Sequence, residues 1–343
     1  MRSVSVSCNR VARYALFCFG VWAAVALPAW GVILSSGNGN TDGSSLTAAG
    51  GPGNPLMPGF ANVGTSSTGN ASVTYLGNRW VLTAGHNTIG SSTGPVRFGG
   101  VPYTVDDSSI TFLHNPDNTL ADLKLFQITT DPGLPAITPD LISSSAPSGR
   151  QIMIGNGLDR GDQFYWNVDM QPNPWQWTQQ PEPSNPGPNA FSGFHLPFSP
   201  HIRCGETEVL NTGVLTLTAV DPQNNPLWVN GYSTEFDDTV YTGVTPLPSE
   251  ALVSLGDSGG AVFQLEGGQW KLSGIMVAFA ELYSGQPQAP AGIPYAVFGN
   301  ESLIADLSVY RDEIISIVPE PAGLALLSPV VGVMLLVGLR RRR

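Results

Sequence analysis

The chain is poor in cysteine, histidine and positive charge. It has three Cys and four His in 343 residues, and 15 Lys and Arg against 26 Asp and Glu. Cys8 and Cys18 fall in an N-terminal leader, so Cys204 stands alone and the mature chain has no intramolecular disulfide. Arg2, Arg10, Arg13 and Arg340 to Arg343 lie at the two ends; removing these seven leaves eight basic residues against 26 acidic ones, a balance of about −18. Such a surface repels nucleic acid and anionic lipid, and nucleic acid is excluded as a partner. No phosphate loop or dinucleotide fingerprint is present. Metal ligands are sparse too: His195 and His201 stand six apart in "HLPFSPH" without a nearby Cys, and "GNGNTDG" lacks the terminal Glu of the calcium-loop pattern. No cofactor is expected.

Long apolar runs occur only at the ends. "MRSVSVSCNRVAR" is basic, "YALFCFGVWAAVAL" is apolar, and "AVALPA" offers small residues for signal-peptidase cleavage after Ala26 or Ala29. Residues 1–29 thus read as a signal peptide, and the mature chain as exported. At the far end "AGLALLSPVVGVMLLVGL" (322–339) gives 18 uncharged residues, enough for a short transmembrane helix, and "RRRR" follows directly. The arginines fit a membrane span better than a buried helix, and the positive-inside rule keeps them in the cytoplasm. With the preceding "VPEP" (Val318 to Pro321), residues 319–343 resemble the PEP-CTERM sorting signal of Gram-negative bacteria. That resemblance implies an exosortase as processing partner. It also implies a place in the cell envelope, anchored by the C-terminal helix, or in the extracellular matrix once the tail is removed.

Between the ends, 40 Gly and 29 Pro punctuate short apolar runs such as "ASVTYLG", "RWVLTAG", "LKLFQIT", "VLTLTAV" and "WKLSGIMVAF". Strands joined by turns are the expected outcome, in a β-sandwich or β-barrel. Residues 30–59, rich in Gly, Ser and Asn, read as a flexible N-terminal segment.

Within this all-β frame "LGDSGGAVF" raises the question of a nucleophile at Ser258. A serine nucleophile needs a base, a group that orients the base, and donors for an oxyanion. Of the four histidines, His86 has the best context, because "NRWVLTAGHNT" runs an apolar strand into a turn of small residues. Among Asp106, Asp107, Asp117 and Asp122, only Asp122 leads straight into an alternating run, "LKLFQI", where a buried carboxylate requires a hydrogen-bonding partner. Gly256 lets backbone N–H groups converge, and Gly259 and Gly260 permit close packing and positive φ behind the serine.

The order His86, Asp122, Ser258 is that of the chymotrypsin-like serine proteases. "LTAGH" resembles that family's Thr-Ala-Ala-His segment, "ADLKLFQ" its Asp-Ile-Ala-Leu-Leu strand, and "GDSGGAVF" its nucleophile loop. "GRQIMIGNGLDRG" resembles the strand opening the second barrel, with Asn156 where Trp is usual, and "LSGIMVAFA" resembles the strand lining the primary pocket. The resemblance spans residues 60–318. It implies two antiparallel six-stranded β-barrels, about 60–140 and 148–300, and a short C-terminal helix over 301–318, which the spacing of Leu303, Ile304, Leu307, Tyr310, Ile314 and Ile315 also predicts. It further implies His86 as general base, Asp122 as orienting acid, Ser258 as nucleophile, and the amides of Gly256 and Ser258 as oxyanion hole. The activity implied is that of a serine endopeptidase on protein or peptide substrates.

The sequence departs from the family in three places. A Pro- and Trp-rich insertion fills about 163–203; its Trp166, Trp175 and Trp177 either line an extended substrate or sugar surface or, the plainer reading, anchor a loop. In the family Asp257 pairs with an amino terminus freed before Ile-Val-Gly-Gly; here only "GVILSSGNG" offers a faint candidate, at Ile33. Leu252 falls at the expected pocket floor and Phe279 at its wall, so an apolar substrate side chain is expected. Two other readings stay open: a non-catalytic envelope or matrix binding protein on a protease-like scaffold, and an esterase using the same triad.

Overall fold

A computed structural model describes residues 32–35, 59–67, 71–197, 201–220, 226–289 and 293–318. The predicted signal peptide at 1–29, most of the segment at 30–59, "GNGNTDG" and the predicted sorting signal with its apolar stretch at 322–339 lie outside the described residues. Among the described residues, no helix is long and apolar enough to cross a membrane.

Strand β1 (Ile33–Leu34) stands apart from the first main set. That set comprises β2 (Val63–Thr65), β3 (Ser72–Gly77), β4 (Trp80–Ala84), β5 (Val96–Phe98), β6 (Val101–Tyr103), β7 (Val105–His114) and β8 (Leu120–Ile128). These seven pair antiparallel in the order β7, β8, β4, β3, β2, β5, β6. Asn78 and Arg79, both at positive φ, close the β3–β4 hairpin, a turn whose twist matches its flanking strands.

The second half supplies β9 (Arg150–Gly157), β10 (Gln163–Asp169), β11 (Gln176–Gln180), β12 (Ala190–Phe194), β13 (His201–Val220), β14 (Pro226–Glu235), β15 (Ala251–Leu252), β16 (Ala261–Glu266) and β17 (Gln269–Ala280). It ends with β18 (Gln288–Ala289), β19 (Ile293–Pro294), β20 (Ala296–Val297), β21 (Glu301–Asp306) and helix α1 (Leu307–Ile317). Strands β13, β9, β16, β17, β21 and β14 pair antiparallel in that order, and β14 pairs back to β13. Six strands thereby close a ring. The first set, by contrast, follows an open path of seven in the described pairings. One parallel pair, Trp228 with Ala121, joins the two, and a common apolar core bridges them: Leu82, Leu123 and Leu125 pack in one cluster with Ile154, Phe263 and Leu272.

The predicted helix over 301–318 is corrected to a strand followed by a helix. Glu301–Asp306 is hydrogen-bonded along both edges, to β14 and to β17, and nearly all its side chains are buried on both faces, so it carries Leu303 and Ile304 in a strand rather than on a helical stripe. Asp306 then caps α1 by accepting the Ser308 N–H at 2.9 Å.

The insertion has structure of its own. Strands β11, β10, β12 and β20 form a separate four-stranded sheet. Trp166 is 3% exposed, Trp177 donates its ring N–H to the Ser284 carbonyl at 3.0 Å, and both pack with Phe191 and Val297 in one cluster. The tryptophans anchor this sheet. No periodic stripe announced it, because its apolar residues are mostly large aromatics spread over three short strands and met by Tyr283 and Tyr295 from far along the chain.

Just before β15, Glu250 is 2% exposed. One carboxylate oxygen accepts the Leu247 N–H at 2.9 Å and the other has no hydrogen-bond partner among the described residues. Burial pushes its pKa up to about 8, against the Leu247 N–H and reinforced by the charges of Asp237, Glu206 and Glu208. The unfolded carboxyl ionises near 4.5 while the folded one holds its proton until about pH 8. The unfolded state therefore binds fewer protons in this window, and stability falls as pH rises through it, by several kcal/mol in order of magnitude. Glu250→Gln is expected to keep the Leu247 contact and flatten that slope. Denaturant unfolding at pH 5 and pH 8 measures it, and an unchanged slope in the variant rejects the assignment.

Candidate active site

Strand β4 is buried along its whole length and ends at Ala84, where Gly85 turns the chain and presents His86. Ala84 pairs with Leu123 on β8, so Asp122 falls beside that turn. Its carboxylate is fully buried and doubly engaged. One oxygen accepts the His86 backbone N–H at 2.7 Å, and the other lies 2.8 Å from His86 Nδ1. The imidazole, 22% exposed, is thus fixed through both its backbone and its ring. A carboxylate held this way favours the tautomer with the proton on Nδ1, leaving Nε2 as an acceptor.

Ser258 sits in a turn between β15 and β16, fully buried, with Gly256 and Gly259 at φ of +101° and +93°. The first set of strands grips this turn. Ser72 N–H and the Asn87 amide both donate to the Ser258 carbonyl, at 3.0 and 2.7 Å. The Ser72 hydroxyl donates to the Gly256 carbonyl at 2.6 Å and the Thr74 hydroxyl to the Gly259 carbonyl at 2.9 Å. These four contacts fix the peptide planes around the serine. A side chain at Gly259 would place Cβ 2.0 Å from the Ser72 carbonyl oxygen, so only glycine allows the approach. Gly260 follows, its N–H donating to the Asp257 carbonyl at 2.6 Å. The Ser258 hydroxyl itself donates to the Val277 carbonyl at 3.2 Å; among the described residues it makes no hydrogen bond to His86.

Asp257 points away from this surface into the interior. Its carboxylate accepts the Ser254 N–H at 2.8 Å, and its other oxygen lies so close to Gly155 that a Cβ there would stand 1.9 Å away. Burial drives its pKa well above the ordinary carboxylate range, opposed by the Ser254 N–H, the Arg203 charge and the N–H of Val32. That last contact corrects the faint sequence match by one residue. Ile33 pairs with Leu252 and Leu34 with Ala251, and this short pairing carries Val32, rather than Ile33, to the carboxylate.

Leu252 is fully buried in an apolar cluster with Ile33, Phe194, Phe236 and Phe298, and half-buried Phe279 packs at its edge. The other histidines lie elsewhere: His114 pairs with Glu313, His195 follows β12 and His201 opens β13. Ser72, Asn87, Lys124 and Gly155 shape the site without having been singled out in the sequence. Asn87 adjoins His86 in the sequence; Ser72 carries no such local signal, since its partner Gly256 is 184 residues away.

No known protein family matches the chain, and no curated protein does. Solved structures do. The Rv3671c protease of M. tuberculosis is similar in its inactive form at 12% identity and a TM-score of 0.41, covering 78% of this chain and 95% of that one. Its active form is similar at 12% identity and a TM-score of 0.40, covering 79% and 88%. The HRV-C 3C protein with rupintrivir gives 12% identity and a TM-score of 0.33, covering 73% and 92%.

Proposed function

We propose that the chain is an exported serine endopeptidase of chymotrypsin-like, two-barrel design, with His86 as general base, Asp122 as its orienting acid and Ser258 as nucleophile. The Ser258 oxygen attacks a peptide carbonyl while its proton passes to His86 Nε2, and the amides of Gly256 and Ser258 receive the developing oxyanion. The imidazolium, stabilised by Asp122, then protonates the leaving amine as the C–N bond breaks. Water, deprotonated by His86, hydrolyses the acyl-enzyme and regenerates the serine. The apolar surroundings of Leu252 and Phe279 favour an apolar side chain beside the scissile bond. The leader and the tail support export, with signal peptidase and an exosortase as processing partners.

The observation that carries this reading is the doubly bonded, fully buried Asp122 at His86. A scaffold retained only for binding has no need to hold one imidazole by both backbone and ring. In favour of that second reading stands the Ser258 hydroxyl, turned to the Val277 carbonyl; a rotation about its Cα–Cβ bond separates the two states.

A fluorophosphonate probe decides between them. Labelling mapped to Ser258 and lost in Ser258→Ala and His86→Ala is the expected result, and ester against peptide turnover then separates esterase from endopeptidase. A folded protein that takes up no probe, even after limited proteolysis near Val32, leaves the binding scaffold as the answer.

A further inference from the structure

Lys124 follows Asp122 by two residues on β8, so the two side chains leave the same face of the strand. It is only 6% exposed. Its ammonium donates to the Gly85 carbonyl at 2.9 Å and to the Asn87 carbonyl as well. These are the residues on either side of His86. Across β7 the Phe112 ring centroid lies 5.4 Å from the nitrogen, and Thr83 is the cross-strand neighbour on β4. The charged group acting on the ammonium is Asp122 from its own strand, and Tyr310 of α1 feels the same carboxylate.

An ammonium in this position is costly. Burial pushes its pKa down to about 8, with the Asp122 charge working the other way. An apolar side chain on a half-covered strand carries no such penalty. What the lysine supplies is two charge-assisted hydrogen bonds to one turn. The turn, in its own right, reaches Ser258: the Asn87 side chain, already held to Thr83 at 2.8 Å, donates to the Ser258 carbonyl.

We propose that Lys124 is a positioning residue, clamping the carbonyls that flank His86 and, through Asn87, keeping the base in register with the Ser258 turn. This inference rests on the triad proposed above. It extends to a residue that touches neither substrate nor reacting atoms and acts through the backbone of its neighbours.

Lys124→Met, which keeps the length and loses the donors, and Lys124→Gln, which keeps an uncharged NH₂ donor group on a shorter side chain, test it in the full chain. The first readout needs no activity: amide hydrogen exchange across residues 84–88, which is expected to quicken about tenfold in the Met variant and less in the Gln variant. The second is the pH profile of fluorophosphonate labelling. As pH rises through about 8, the wild-type ammonium loses a donor and its charge, so labelling is expected to fall; the Met variant, starting on the order of tenfold lower at pH 7, lacks this step. Should the Met variant melt without cooperativity, the Gln variant decides. Wild-type exchange and an unaltered pH profile in a folded variant overturn the clamp while leaving the triad standing. Quickened exchange in a chain that never labels does the reverse.

Discussion

Asp122→Asn is expected to fold, keep its β structure, and react with a fluorophosphonate about 10⁴-fold more slowly than the wild type. The asparagine can still accept the His86 backbone N–H with its carbonyl oxygen. Its NH₂ group then faces Nδ1, where the wild type has an acceptor at 2.8 Å. An imidazole placed against a donor turns its lone pair to Nδ1 and its proton to Nε2, so it has no base to offer Ser258. The charge that would stabilise the imidazolium is gone as well. Second-order labelling rates of both proteins at pH 7, beside matched melting curves, check the expectation. A loss of tenfold or less would remove Asp122 from the chemistry and leave it a structural carboxylate.

A chain that begins at Val32 is expected to be more stable at pH 7 than one that retains Trp30 and Gly31, by about 3–5 kcal/mol at most. The reason lies in Asp257. It is fully buried, one oxygen has no hydrogen-bond partner among the described residues, and the Val32 N–H acts on the carboxylate as a neutral amide donor. Cleavage between Gly31 and Val32 turns that amide into an ammonium at the same place, giving a buried carboxyl whose charged form burial disfavours a counter-charge with which to form a pair. An amine that gains such a partner has its folded pKa raised above the ordinary value near 8. The added stability is therefore full below about pH 8 and is lost as pH rises through the folded pKa. Denaturation midpoints of the two chains at pH 7 and pH 10 measure both the gain and its loss. Faster labelling of Ser258 should accompany the gain, because residue 257 and the serine share one turn. Equal midpoints at pH 7 would show that the carboxylate stays protonated in both.

The strands and the sequence neighbourhood of His86, Asp122 and Ser258 were legible because each is written locally. A run of alternating or continuous apolar residues ends in a Gly-containing turn, and the chemical residue sits at the junction. The closing of β13 through β14 into a ring was implied by the family resemblance and not by any local pattern, since it depends on which strand meets which across more than a hundred residues of chain, as where Gln151 meets Gln264. Local periodicity misled at Leu303 and Ile304, where the strand is paired along both edges and buried on both faces, which erases the alternation that distinguishes strand from helix. Lys124 escaped notice for a related reason. A lone lysine in a strand is usually solvated, and nothing nearby in sequence shows that Gly85 and Asn87 fold back to receive it.

The sheet built from the insertion is not a detachable module. Its fourth strand, β20, belongs to the stretch leading into β21, more than a hundred residues beyond β12, and Phe194 at the end of β12 lies in the same apolar cluster as Leu252. Excising residues 163–194 would strip β20 of its pairing and open a hole in the apolar cluster around Leu252. Its sequence is free to drift at the exposed tips of its hairpins and is tethered at their base.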